Sequence, residues 1–87
     1  MKNKIVPSMA LVDMSDVRLP MIVICKQPAD FPGDYTARLF DANIPTNIMI
    51  KRKAISDVRE DIAAAGFAAM IPRMYGDDKC IVETWMM

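Results

Sequence analysis

The sequence predicts an α+β fold, a small, mostly antiparallel sheet in β-β-β-α-β order with one helix packed on one face. Three observations predict it. A β-branched run, Met21-Ile22-Val23-Ile24-Cys25-Lys26, precedes a stretch punctuated by Pro28, Pro32 and Gly33, and an alternating run from Tyr35 to Asp41 follows. Ile55, Val58, Ile62 and Ala65 recur at helical spacing as one apolar stripe. The chain then closes on a second alternating run, "KCIVETWM".

The first 19 residues carry scattered apolar side chains that fit neither the helix nor the strand period, between Pro7 and Pro20. They read as a loosely ordered N-terminal arm over 1–19, with one short strand around Met9 to Val12. Residues 20–87 read as a single α+β domain. Within it, Met21 to Lys26 is a strand covered on both faces or lying centrally. "QPADFPGD" is the turn that follows, since Pro28, Pro32 and Gly33 all resist ladders and helices. Tyr35 to Asp41 places Tyr35, Ala37 and Leu39 on one face, with Thr36, Arg38 and Phe40 on the other. "ANIPTN" reads as a turn. "IMIKR" reads as a third strand, with Ile48 and Ile50 inward and Met49 and Lys51 outward.

The helix begins near Ile55. Asp57, Glu60 and Asp61 suit its positive N-terminal end, and Ala63 to Ala65 favour helix. Gly66 stands where a left-handed residue ends a helix. Phe67 then reaches back to Ile62. "FAAMIPRMY" is extended and confined by Pro72 to an edge or a bulge. "GDD" is a turn before the last strand.

Composition narrows the function. The chain holds 87 residues, no histidine, and as many acidic as basic groups, for a formal net charge of zero. Without histidine, Ser-His-Asp, Cys-His and histidine-based metal sites are excluded. The zero net charge provides no global field for nucleic acid or an anionic membrane. The apolar run in "MKNKIVPSMALVD" is broken by Pro7 and stopped by Asp13, so it lacks a signal-peptide core. No stretch approaches the roughly 18 apolar residues of a membrane span. A cytoplasmic location is expected. Cys25 and Cys80 both sit in apolar runs and read as reduced, buried thiols. A disulfide between them would require their strands to be neighbours.

Two groups of residues are candidate binding sites. Lys26, Asp30, Asp34 and Arg38 would converge on the Pro- and Gly-rich loop; against this stands a plain hairpin connection with Phe31 tucked into the core. Arg38 lies in mid-strand. Under a covering helix its charge would need a partner, with Asp41 and Glu83 the candidates. Lys51, Arg52 and Lys53 form the only basic run, just before a helix N-terminus, where backbone N–H groups can meet a phosphate. The competing reading is a solvated strand end. Asp77 and Asp78 are too few carboxylates for a metal site and read as a polar turn. Some of the nine methionines, such as Met49, Met70 and Met74, could present a soft apolar surface, with core filling as the alternative.

The stretch "KQPADFPGDYTARLFD", with the short strand and amphipathic helix after it, resembles small bacterial proteins of uncharacterised function. These carry a K-Q-P-x-D-aromatic-P-G-x-Y-x-A-R-L type pattern, and the likeness runs from Met21 onward. More distantly, the element order and Tyr35-Thr36-Ala37 resemble the HicB-type antitoxin domain. That resemblance implies toxin-partner binding. The family's Pro- and Gly-rich segment and its helix start appear here only as "ANIPTN" and "AISDV", and no DNA-binding extension follows Trp85.

The resulting expectation is a small cytosolic protein-interaction module. It is non-catalytic, has no cofactor, and partners another protein or a second copy of itself as a homodimer. An alternative is a nucleic-acid or phosphate binder acting through Lys51 to Lys53. A small enzyme built on an Asp and Arg site near Arg38 ranks below both.

Overall fold

In the computed structural model, which describes residues 2–87, the chain runs through β1 (Lys4–Ile5), a 3-10 turn (Met9–Leu11), β2 (Pro20–Lys26), β3 (Tyr35–Asp41), β4 (Ile44–Arg52), helix α1 (Ile55–Ala64), β5 (Ala69–Pro72) and β6 (Ile81–Met86). The strands form one sheet in the order β1-β4-β3-β2-β6-β5. Every pairing is antiparallel except β1 with β4. The class is α+β, as the sequence predicts, with a sheet of six strands.

β2 is central because its alternate residues are apolar on both sides. Ile22 pairs with Leu39 and Ile24 with Ala37, and all four are fully buried. β3 and β4 are joined through only Ala42 and Asn43, so the stretch expected as a turn, "ANIPTN", is mostly strand. Pro45 is tolerated there because β1 pairs only with Ile48 and Met49, leaving the outer side of β4 without a neighbour at Pro45. The register shifts between Arg38 and Phe40. At that irregularity the Thr46 hydroxyl donates to the Leu39 carbonyl at 2.6 Å and accepts from the Ile48 N–H at 3.2 Å, standing in for missing ladder bonds.

Helix α1 buries Val58 and Ile62 against the sheet. It stops by the two-bond cap the sequence suggests. The Phe67 N–H donates to the Ile62 carbonyl at 3.1 Å, and the Gly66 N–H to the Ala63 carbonyl at 3.0 Å. Gly66 takes a φ of 103°, in the left-handed region. Phe67 is thereby driven into the core, where it is 1% exposed.

The N-terminal arm packs rather than hanging loose. Residues Met9–Leu11 form a 3-10 turn where a strand was expected, and Met9 is fully buried beside Val58, Ile62 and Phe67. The Met9 N–H donates to Asp61 Oδ2 at 2.8 Å, and Arg52 bridges the Pro7 carbonyl and Asp61. Val6, Val12, Met14 and Val17 pack around it. The topology gives the reason. The hairpins β2–β3, β3–β4 and β5–β6 join neighbours, but β1 to β2 and β4 to β5 must cross the sheet. Both crossings, the arm and α1, lie over the same face.

Candidate functional site on the uncovered sheet face

The opposite face carries the alternate residues of the same strands. Register places them in rows. Met86, Met21 and Phe40 form one row; Thr84, Val23, Arg38 and Met49 the next; Ile81, Cys25, Thr36 and Lys51 the third. Met49 and Thr36 are buried, while Met21, Val23, Arg38, Phe40, Thr84 and Met86 are half-buried. Among the described residues the 27–34 loop folds over the third row of this face, with Asp78 and Cys80 at its edge, and Asn3 reaches Arg38 in the second row. Phe31 sits there with the Lys51 ammonium 5.4 Å from its ring centre, a cation–π contact. Phe31 is half-buried on the open face, not in the core as expected. Between loop and sheet lies a pocket of about 210 Å³, with Val23, Arg38, Phe40, Met49, Cys25 and Cys80 in its lining. That is below the roughly 300–1,000 Å³ of small-molecule sites and suits one inserted side chain.

Arg38 is the charged group of this floor. Its Nη1 donates to the Thr46 carbonyl at 2.9 Å, and its Nη2 to Asn3 Oδ1 at 2.9 Å and Met49 Sδ at 3.5 Å. The expected ion pairs with Asp41 and Glu83 do not form. Arg38 faces away from the helix; Asp41 accepts from the Leu19 N–H at 3.1 Å, and Glu83 is held by Arg59 on the covered face. No carboxylate contacts the Arg38 guanidinium among the described residues.

The expected convergence on the loop is partial. Asp30 shares the pocket with Arg38. Asp34 turns away to pair with Lys53 Nζ at 2.8 Å. Lys26 lies in a shallow outer groove with Gln27, Asp78, Lys79 and Cys80. The basic run is split as well. Strand alternation sends Lys51 to Phe31 on the open face, while Arg52 goes to Asp61 at 3.3 Å on the helix side. Asp77 and Asp78 do turn work: Asp77 Oδ2 accepts from the Met74 N–H at 2.9 Å and Asp78 Oδ1 from the Cys80 N–H at 3.3 Å.

Cys25 and Cys80, expected as reduced, buried thiols, instead line this pocket. They are free thiols, half-buried, with the Cys80 Sγ donating to the Cys25 Sγ at 2.8 Å. Burial, and then the Cys80 sulfur, pushes the Cys25 thiol up to about 12, so it is protonated at neutral pH. The signal that could have found this pair was positional. Cys25 shares β2's outward phase with Val23, and Cys80 stands directly before β6, the strand that pairs with β2.

No helix among the described residues is long and apolar enough to cross a membrane, and no group of three or more metal-ligating side chains is found among them. Comparison of the chain with protein-family models, with curated proteins and with solved structures gives no significant match.

Proposed function

We propose that this protein is a non-catalytic interaction module that docks a second copy of its own chain on the open sheet face. The observation that carries the reading is the one-sided cover. Both crossing segments pack on one face and leave Met21, Val23, Phe40 and Met86 only half-buried on the other. A sheet apolar on both faces needs a second cover. A second copy suits this face by charge. Arg38 contacts no carboxylate there, and Asp30 and Asp78 line the same pocket, so a two-fold pairing sets opposite charges across the interface. The zero net charge leaves no overall repulsion between copies. The small pocket favours a protruding side chain over a free metabolite. The toxin-type partner implied by the HicB-like resemblance would use this same face. Phosphate or nucleic-acid binding through Lys51 to Lys53 has less support, because Arg52 and Lys53 are already ion-paired.

Light scattering at micromolar concentration tests the reading. The wild type should be a dimer. Val23→Lys, which sets a second cation beside Arg38 in the central row, should be a folded monomer. A monomeric wild type overturns the self-association, and a Val23→Lys variant that still dimerises overturns the choice of face.

A further inference from the structure

We propose that Cys25 and Cys80 form a reversible intramolecular disulfide, making the pocket a thiol-oxidation site. The pair is 55 residues apart in sequence and is brought together only by the fold. Backbone pairing continues past the start of β6: the Lys26 N–H donates to the Cys80 carbonyl at 2.8 Å, directly beside the Cys25–Ile81 register pair. The register shift between Ile24 and Cys25 sets the Cys80 side chain against that of Cys25. The sulfurs touch at 2.8 Å, so closing to a covalent bond of about 2.05 Å needs little movement. Cys80 also lines the outer groove beside Lys26 and Lys79, whereas Cys25 lines only the inner pocket. A small oxidant therefore reaches Cys80 from two sides, with Cys25 behind it.

The oxidant is a low-molecular-weight disulfide. The Cys80 thiol gives its proton to solvent, and its sulfur attacks one sulfur of the oxidant. The oxidant's S–S bond breaks, and one small thiolate leaves and takes up a proton. Cys25 then gives up its proton and attacks the Cys80 sulfur of this mixed disulfide. The Cys25–Cys80 bond forms, and the second small thiolate leaves and is protonated. Two protein thiols are oxidised to one disulfide, and one small disulfide is reduced to two thiols. Burial keeps Cys25 protonated; Asp78 reinforces that, and Arg38 opposes it. Its access from the outer groove lets Cys80 start the exchange, and Cys25 behind it completes it.

The test incubates the full chain with oxidised glutathione, quenches by alkylation, and reads intact mass and a peptide map. The wild type should lose two hydrogens, give a Cys25–Cys80 linked peptide, and hold this product at least about tenfold over glutathione adducts, because the second thiol acts at a high effective concentration. Excess reduced glutathione should restore both thiols. Cys25→Ser should stop at a stable glutathione adduct on Cys80. Three wild-type results would each overturn the proposal: a stable adduct on either cysteine, a disulfide between chains, or two thiols left free under conditions where the urea-unfolded chain reacts. The wild-type map decides the matter even if the variant folds poorly.

Discussion

The Arg59 guanidinium grips the Glu83 carboxylate with two hydrogen bonds, Nε to Oε1 at 2.8 Å and Nη2 to Oε2 at 3.0 Å, tying helix to sheet. Trp85 Nε1 adds a third at 3.0 Å to Oε1. The Glu83 side chain is 5% exposed and that of Arg59 47%. Solvent screens one partner, so Arg59→Ala should cost about 1–2 kcal/mol in a urea melt, between a surface and a fully buried pair.

The same contact sets a pH dependence. The Arg59 hydrogen bond holds the Glu83 carboxyl below its ordinary value of 4.5, while burial pulls it up and the Trp85 bond adds a smaller push down. A folded-state pKa below the unfolded one means the contribution is complete above pH 4.5 and is lost as pH falls through the depressed folded value. Thermal midpoints followed downward from pH 4.5 should therefore fall more steeply for the wild type than for Glu83→Gln.

Met9 belongs to the core although it lies in the arm. Met9→Ala should destabilise by about 2–4 kcal/mol, the cost of a buried Met truncated to Ala. Leu11→Ala, two residues along and 74% exposed, should change stability by less than about 0.5 kcal/mol. Equal losses in chemical denaturation would mean that the arm does not hold this packing in solution.

Ala42 turns the β3–β4 hairpin with a φ of 53°, where a Cβ is strained. Relief of about 1–2 kcal/mol of left-handed strain outweighs the roughly 0.4–1 kcal/mol that a glycine adds to unfolded-state entropy. Ala42→Gly should stabilise by about 0.5–1 kcal/mol in a thermal melt, the difference between those two effects.

Arg38 fills the irregular part of the β3–β4 pairing as well as the pocket floor. Arg38→Met keeps much of the apolar stem but leaves the Thr46 carbonyl and the Asn3 amide oxygen without this donor. The expected loss is about 1–3 kcal/mol. Arg38→Lys should recover part of it, since an ammonium can meet one acceptor but does not reproduce the fork. Urea titration of the three proteins orders them.

The helix and its termination could be read from the sequence because their determinants are local. Ile55, Val58 and Ile62 set the face, and Gly66 with Phe67 sets the stop within six residues of the last turn's start. The pairing of Tyr35–Asp41 with β2 was likewise written in alternation. The side of the sheet that the arm would choose was not. Met9 looks like any other Met in an aperiodic stretch, and its burial depends on Val58 and Ile62, which are in place only after α1 has docked. Arg38 was singled out correctly as a mid-strand charge, but its partners were sought on the wrong face. Backbone oxygens such as that of Thr46 leave no mark in a sequence. The Cys25–Cys80 contact depended on β6 inserting between β2 and β5, which no local pattern specifies.

That insertion bears on how the chain comes off the ribosome. β2, β3 and β4 are neighbours in sequence and can zip into a meander as they emerge, whereas β6 appears last of the six strands. Until it does, the Ile22-Val23-Ile24 edge of β2 has no partner on that side. An unpaired apolar edge of this kind templates pairing with other chains. Slow synthesis between Arg52 and Ile81 should lengthen that interval and raise the aggregated fraction, whereas refolding of the full-length chain from urea presents β6 from the start. The place of β6 in the sheet thus makes a clean yield depend on when the strand arrives as well as on how well it fits.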